Sequence, residues 1–110
     1  MTPSSGSVSV APSVLVRLVR LAVSEVPGVA RTGLAPATSM LGATTDRGIA
    51  AKILDEQVSA DCYVIAKADT NLLELGVTIQ ATVAAVIQQV LGMAVREVNV
   101  YIQDVEVSRG

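Results

Sequence analysis

Apolar and polar positions along the 110-residue chain repeat with two different periods. In APSVLVRLVRLAVSEVPG, Ser13, Arg17, Arg20 and Ser24 form one polar stripe at spacings of three or four. Leu15, Leu18, Val19, Ala22 and Val26 fill the opposite side. That is the signature of an amphipathic helix. Pro12 suits an early helical position, and Pro27–Gly28 ends the helix, because proline cannot continue it and glycine accepts a left-handed turn. A second helical period runs through LLELGVTIQATVAAVIQQVLG. It places Leu75, Ile79, Val83, Val86 and Val90 inward, with Glu74, Thr78, Thr82, Ala85 and Gln89 along a weakly polar side. Asn71 and Glu74 stand at capping-box spacing before it, and Gly92 reads as its stop. Gly76 costs this helix up to about 1 kcal/mol relative to alanine and is read as marking close packing against a sheet.

The other segments alternate with a period of two. SVSV, residues 7–10, reads as a short first strand, and VARTGL, residues 29–34, as another. Ile49–Leu54 and Val58–Ala68 read as a hairpin around Asp55–Glu56–Gln57. In its second arm Val58, Ala60, Cys62, Val64 and Ala66 share one face. Ser59, Asp61, Tyr63 and Lys67 share the other, where Ile65 is the single apolar exception. This predicts an antiparallel sheet covered on one side and wet on the other. The last strand starts near Ala94, with Val98, Val100 and Ile102 inward and Asn99, Tyr101 and Gln103 outward. Val105 and Val107 fall out of that phase, so a bulge is expected near Gln103–Asp104.

Residues 35–47 are rich in Ala, Thr, Pro and Gly, lack any period and read as a flexible loop. Residues 1–7 read as a flexible N-terminus and 108–110 as a tail, which leaves one domain over 8–107. The element order is approximately β-α-β-β-β-α-β. It predicts a two-layer α+β domain, with two amphipathic helices packed on one face of a mainly antiparallel sheet.

Composition narrows the class. The chain is 51% hydrophobic and 16% charged, too apolar for a disordered segment. With no Phe or Trp and only Tyr63 and Tyr101 as aromatics, the core is built from small and branched side chains. Eight basic and ten acidic residues leave a net charge of −2. Without a basic block or an aromatic platform, nucleic acid is not an expected partner. Cys62 is the only cysteine, which precludes an intrachain disulfide and fits a reducing compartment. The first residues carry no positive charge before Arg17 and make a poor signal peptide. Val14–Val26 is interrupted by Arg17, Arg20 and Glu25, and no run of membrane-spanning length is read from the sequence. A cytoplasmic location is therefore expected, with no membrane crossed by the chain itself.

Chemistry-bearing groups are sparse. There is no histidine, so the usual general base and the commonest metal ligand are missing. Cys62 falls on the inward face and reads as a buried structural thiol. Asp55–Glu56 sits in a tight turn, where solvated acids are ordinary. Asp104 and Glu106 have no further oxygen ligands at hard-cation spacing, and no phosphate-cradling glycine motif occurs. No enzymatic activity, cofactor or metal is expected. Arg17 and Arg20 are too few to mark a lipid-binding helix and read as a solvated face. The uncharged row Asn99, Tyr101 and Gln103 is the best candidate for partner binding, because such side chains desolvate more cheaply than charges and Tyr is enriched in interfaces. A plain solvated strand face is the competing reading.

Five segments in order carry a family resemblance: a first helix ending in EVPGV, GIAAKI, DCYVIA, IQATVAAVIQQVLGMAV and VREVNVYIQDV. The most specific is G-x-x-V-x-x-V-N-V-x-I-x-x-V, carried by Gly92, Val95, Val98, Asn99, Val100, Ile102 and Val105. Over residues 8–107 the chain resembles the alkaline shock protein family, the bacterial envelope-stress and general-stress proteins. The resemblance implies a small, cytoplasmic, non-enzymatic protein of envelope stress. It further implies a scaffold or interaction role through protein–protein contacts, with another copy or a membrane-anchored protein as partner. Relatives often enter their second helix from a strand ending in Tyr-Gly, whereas this chain has A-K-A-D-T-N. The alternative is a small-ligand or ion sensor with its pocket under the Ala35–Arg47 loop, which is long for a compact domain; a small-molecule ligand is the less favoured partner.

Overall fold

The structure is a computed structural model, and it describes residues 5–107. The chain runs α1 (Pro12–Ser24), β1 (Val29–Thr32), β2 (Thr44–Asp46), β3 (Ile49–Leu54), β4 (Gln57–Lys67), α2 (Leu72–Ala85) and β5 (Ala94–Glu106). The fold class is α+β, as expected, with a five-stranded sheet. One expected strand is absent. Residues 7–10 lie in no strand, and the additional strand is instead β2, inside the segment read as a flexible loop. Alternation alone did not place SVSV in a ladder. Thr44–Asp46 earns its place by pairing with Ile49–Ala51. The flexible terminus read at 1–7 and the tail at 108–110 lie largely outside the described residues.

β4 is the spine of the sheet. Its first half pairs antiparallel with β3, Leu54 facing Gln57 and Ile49 facing Cys62. Its second half pairs antiparallel with β1 on the same edge, Thr32 facing Val64. β1 and β3 thus lie end to end and meet at Tyr63, whose carbonyl accepts from Gly33 N–H at 2.7 Å and whose N–H donates to the Gly48 carbonyl at 2.8 Å. A Cβ at Gly48 would collide with the Tyr63 carbonyl and with Gly33 backbone, so the junction requires glycine.

The other edge of β4 carries β5 in parallel along its whole length. A parallel neighbour needs a crossover, and α2 supplies it. The turn into α2 passes through Asp69 at φ +61°, the left-handed region that Asp enters more readily than most residues. The β3–β4 turn places Asp55 and Glu56 at φ +52° and +62°, the geometry of a tight two-residue hairpin.

Both helices cover one face. Leu15, Val16, Val19 and Val23 of α1, Leu75, Ile79 and Val83 of α2, and Ile87 just beyond it pack on Val58, Ala60, Cys62, Val64 and Ala66. Full burial of each large aliphatic side chain contributes roughly 1.5–3 kcal/mol. Asn71 Oδ1 accepts from Glu74 N–H at 3.0 Å, the cap the sequence proposed. The inward stripe departs from expectation at its end, where Ile87 is buried and Val90 is exposed. Residues Val86–Val90 form a π-helical turn, and its wider pitch rotates Val90 off the core face.

Leu72–Val90 is a continuous helical stretch of 19 residues, apolar and long enough by composition to cross a membrane. That corrects the expectation that no run approaches such a length. Here it forms one layer of the domain. Part of its outer surface is apolar and open, with Leu73 80% and Val77 58% exposed, beside the exposed Glu74, Thr78 and Gln80.

Candidate interaction surface

The sequence row Asn99, Tyr101 and Gln103 lies on the face of the sheet turned away from the helices. Two bulges set the phase of β5. The register with β4 skips Arg96 between Val95 and Glu97, and skips Gln103 between Ile102 and Asp104. The second skip is the bulge that the valine phase demanded. Each bulge restores the inward phase, so that Val95, Val98, Val100, Ile102 and Val105 pair with β4 residues of the core face.

The parallel register then fixes the outward contacts. Asn99 pairs with Asp61 and Tyr101 with Tyr63. Asn99 Nδ2 donates to Asp61 Oδ1 at 3.0 Å, and the two tyrosine rings stack with centroids 4.7 Å apart at 13°. Gln103 reaches past β4 to the root of the Leu34–Ala43 loop. Its Nε2 donates to the Leu34 carbonyl at 2.9 Å and its Oε1 accepts from Leu34 N–H at 3.2 Å. A Cβ on Gly33 would collide with that carboxamide.

This outer face is less wet than its alternation suggested. Asp61, Tyr63 and Ile65 are all buried, Asp61 to 7% exposure. The loop supplies part of the cover: Ser39 Oγ lies 3.4 Å from Asp61 Oδ2 and 3.1 Å from Tyr63 Oη, and Lys52 Nζ donates to the Leu41 carbonyl at 3.1 Å. Asp61 is thus a buried carboxylate held by neutral donors, Asn99 and Ser39. Its charge, ahead of desolvation, Tyr63 and Glu97, raises the Tyr101 phenol above its ordinary value. Sequence reasoning assigned Asp61 and Tyr63 to a solvated face and missed Ser39. The available signal was Ile65, an apolar residue out of place on a wet face.

The neighbouring groups do not assemble a reacting centre among the described residues. Ser39 touches a carboxylate and a phenol, with no imidazole to move its proton. Cys62 is wholly buried and burial, reinforced by Asp61, pushes its thiol from 9.0 up to about 12, which suppresses the nucleophilic thiolate. Glu106 pairs with Arg31 and Asp104 Oδ1 accepts Val105 N–H at 2.8 Å, so each acid near the bulge has a local partner.

The remaining feature is an edge. β5 spans 13 residues, pairs with β4 on one side, and has no strand on the other among the described residues. Against its inner face a groove of about 270 Å³ runs between β5 and α2, lined by Leu72, Leu73, Val77, Gln80, Val100 and Ile102. Gly76 also lines it. A Cβ there would touch nothing within 4 Å, which overturns the reading of Gly76 as a close-packing residue. Gln80 Nε2 donates to the Val98 carbonyl at 3.1 Å, which ties the helix to the strand across this groove.

A family model of alkaline shock protein 23, with a cell envelope-related function, matches residues 1–107. The chain belongs to that family. Its relative YloU of Bacillus subtilis (strain 168) is 34% identical over 62 residues, covering 56% of this chain. The match spans about half, 52%, of YloU. Among solved structures, two variants of the MamM CTD superpose with TM-scores of 0.57 and 0.56 at 15% identity. They cover 88% of this chain and 95% and 98% of theirs. At that identity the likeness is one of fold. Asn99, within the V-N-V segment of β5, lies beside Asp61.

Proposed function

We propose that this family member is a non-enzymatic interaction module of the cell envelope that docks through β5, its outward row and the adjoining α2 groove. The observation that carries the reading is the unpaired edge of β5, a long strand flanked on both sides by desolvatable surface. Unpaired strand edges are templates for pairing and are normally short, covered or charged. This one is bulged at both ends and carries Arg96, Glu97, Asp104 and Glu106 near them. Its centre, Val98–Ile102, is uncharged.

A second copy, or a membrane-anchored protein presenting a strand, suits such a surface. Main-chain hydrogen bonds to the edge would supply affinity, and alternate side chains would enter the groove or cover Tyr101. With Cys62 as the sole cysteine, the reading places the module on the cytoplasmic side of the envelope.

The test is analytical ultracentrifugation of the purified chain over a wide concentration range, together with co-purification from native cells with and without membranes. Assembly or a stoichiometric partner is expected. A strictly monomeric chain that brings down no partner defeats the proposal.

A further inference from the structure

A second concavity lies on the outer face, at the far end of the Gln103 clamp. It is an open concavity of about 660 Å³ lined by Arg31, Thr32, Leu34, Arg47, Ile65 and Gln103. Its floor is Ile65, the one apolar residue that interrupted the polar alternation of β4, and it is 9% exposed. Two arginines reach the cavity from different elements, Arg31 from β1 and Arg47 from the corner between β2 and β3. Arg47 is held at φ +55°, and its carbonyl accepts from Ala35 N–H at 3.1 Å, which closes the loop at its root.

The charges around the cavity are unequal. Arg31 pairs with Glu106, whereas Arg47 makes no ion pair among the described residues. The carboxamide of Gln103 is pinned to the Leu34 backbone by one donated and one accepted hydrogen bond, which fixes this wall of the cavity. What is left is a bowl with an apolar floor, one unpaired guanidinium and a second held by an exposed, exchangeable pair, with the Asp104 carboxylate registered beside Ile65 at its β5 side. Planar guanidinium forks match the oxyanions of a phosphate, and two from different directions share its oxygens.

From this geometry we infer that the cavity binds a phosphate monoester bearing a short apolar group, its head on Arg47 and Arg31 and its apolar part on Ile65 and Leu34. The site shares Gln103 with the outward row of β5 but does not depend on the docking reading. It gives a definite location to the small-ligand alternative raised by the length of the Ala35–Arg47 loop. Two sources share this chemistry: a soluble phosphate monoester, and the monoester headgroup of phosphatidic acid in a membrane.

The experiment is a titration of the full chain with n-hexyl phosphate, followed by amide chemical shifts, with inorganic phosphate and n-hexanol as companions. Saturable shifts are expected at Arg31, Leu34, Arg47, Ile65 and Gln103, with inorganic phosphate weaker by roughly tenfold or more and n-hexanol inert. Arg47→Gln should weaken n-hexyl phosphate by roughly tenfold or more. Glu106→Gln, which frees Arg31, should tighten it by about threefold; a gain cannot come from loss of folding. No saturable shift in this cluster, or wild-type affinity in Arg47→Gln with its spectrum intact, overturns the site. Sedimentation with phosphatidic acid-containing vesicles but not with pure phosphatidylcholine, lost in Arg47→Gln, assigns the phosphate to a lipid. Binding of n-hexyl phosphate without vesicle sedimentation assigns it to a soluble monoester.

Discussion

Asn99 donates to Asp61 at 3.0 Å across the parallel β4–β5 pairing, and so provides the shorter of the two side-chain hydrogen bonds to a nearly buried carboxylate. Removing a donor from a buried acceptor costs more than the bond itself, because the acceptor loses its compensation for lost water. Asn99→Ala should therefore destabilise the fold by about 1–3 kcal/mol, and Asn99→Asp by more, since it opposes two carboxylates. Urea unfolding of the two variants checks the order. If Asn99→Ala unfolds with the wild-type midpoint, the pair is not structural.

Tyr101 stacks on Tyr63 while remaining 44% exposed, so it serves the fold with one side of its ring and faces outward with the other. Tyr101→Lys puts a positive charge near Asp61 and should cost about 1 kcal/mol of stacking while leaving the chain folded. Self-association or partner capture should weaken by roughly tenfold or more. Tyr101→Phe should retain both properties. Sedimentation equilibrium on the three proteins separates the outcomes.

Gly76 has no internal reason to be glycine. Gly76→Ala is expected to raise stability by up to about 1 kcal/mol through helix propensity. Gly76→Leu should preserve folding and fill the groove between α2 and β5, thereby weakening association. A stable Gly76→Leu protein that associates like wild type would exclude the groove from the docking surface.

Cys62 makes stability fall under alkaline conditions. Its thiol is raised in the folded protein from 9.0 to about 12, so the native state holds a proton that the unfolded chain releases first. The contribution is complete below pH 9 and is lost as pH rises toward 12, at about 1.4 kcal/mol per pH unit. Across the whole interval this amounts to about 4 kcal/mol. Chemical denaturation as a function of pH should show this slope, and Cys62→Val should flatten it. Tyr101, also raised, acts in the same direction above its ordinary range.

Local physics wrote much of the architecture legibly into the chain. The stripe of α1, the Asn71 cap, the tight Asp55–Glu56 turn, the core face of β4 and the Gln103 bulge each follow from neighbours in sequence. Periodicity and backbone chirality act over a few residues, and the apolar phase of a strand must return to the core after any slip. The burial of Cys62 followed for the same reason.

What only tertiary structure decided were relations between distant residues. Alternation identified Asn99, Tyr101 and Gln103 as one row, but the parallel register set Asp61, Tyr63 and the Leu34 backbone beside them. SVSV has the pattern of a strand and joins no ladder, whereas Thr44–Asp46 does because β3 folds back against it. Gly76 reads as a packing residue in the sequence and faces open space in the fold. Ile65 looked misplaced until Arg31, Arg47 and the loop root closed around it. Local patterns determine which face a residue takes; only the assembled sheet and its loops determine what meets it there.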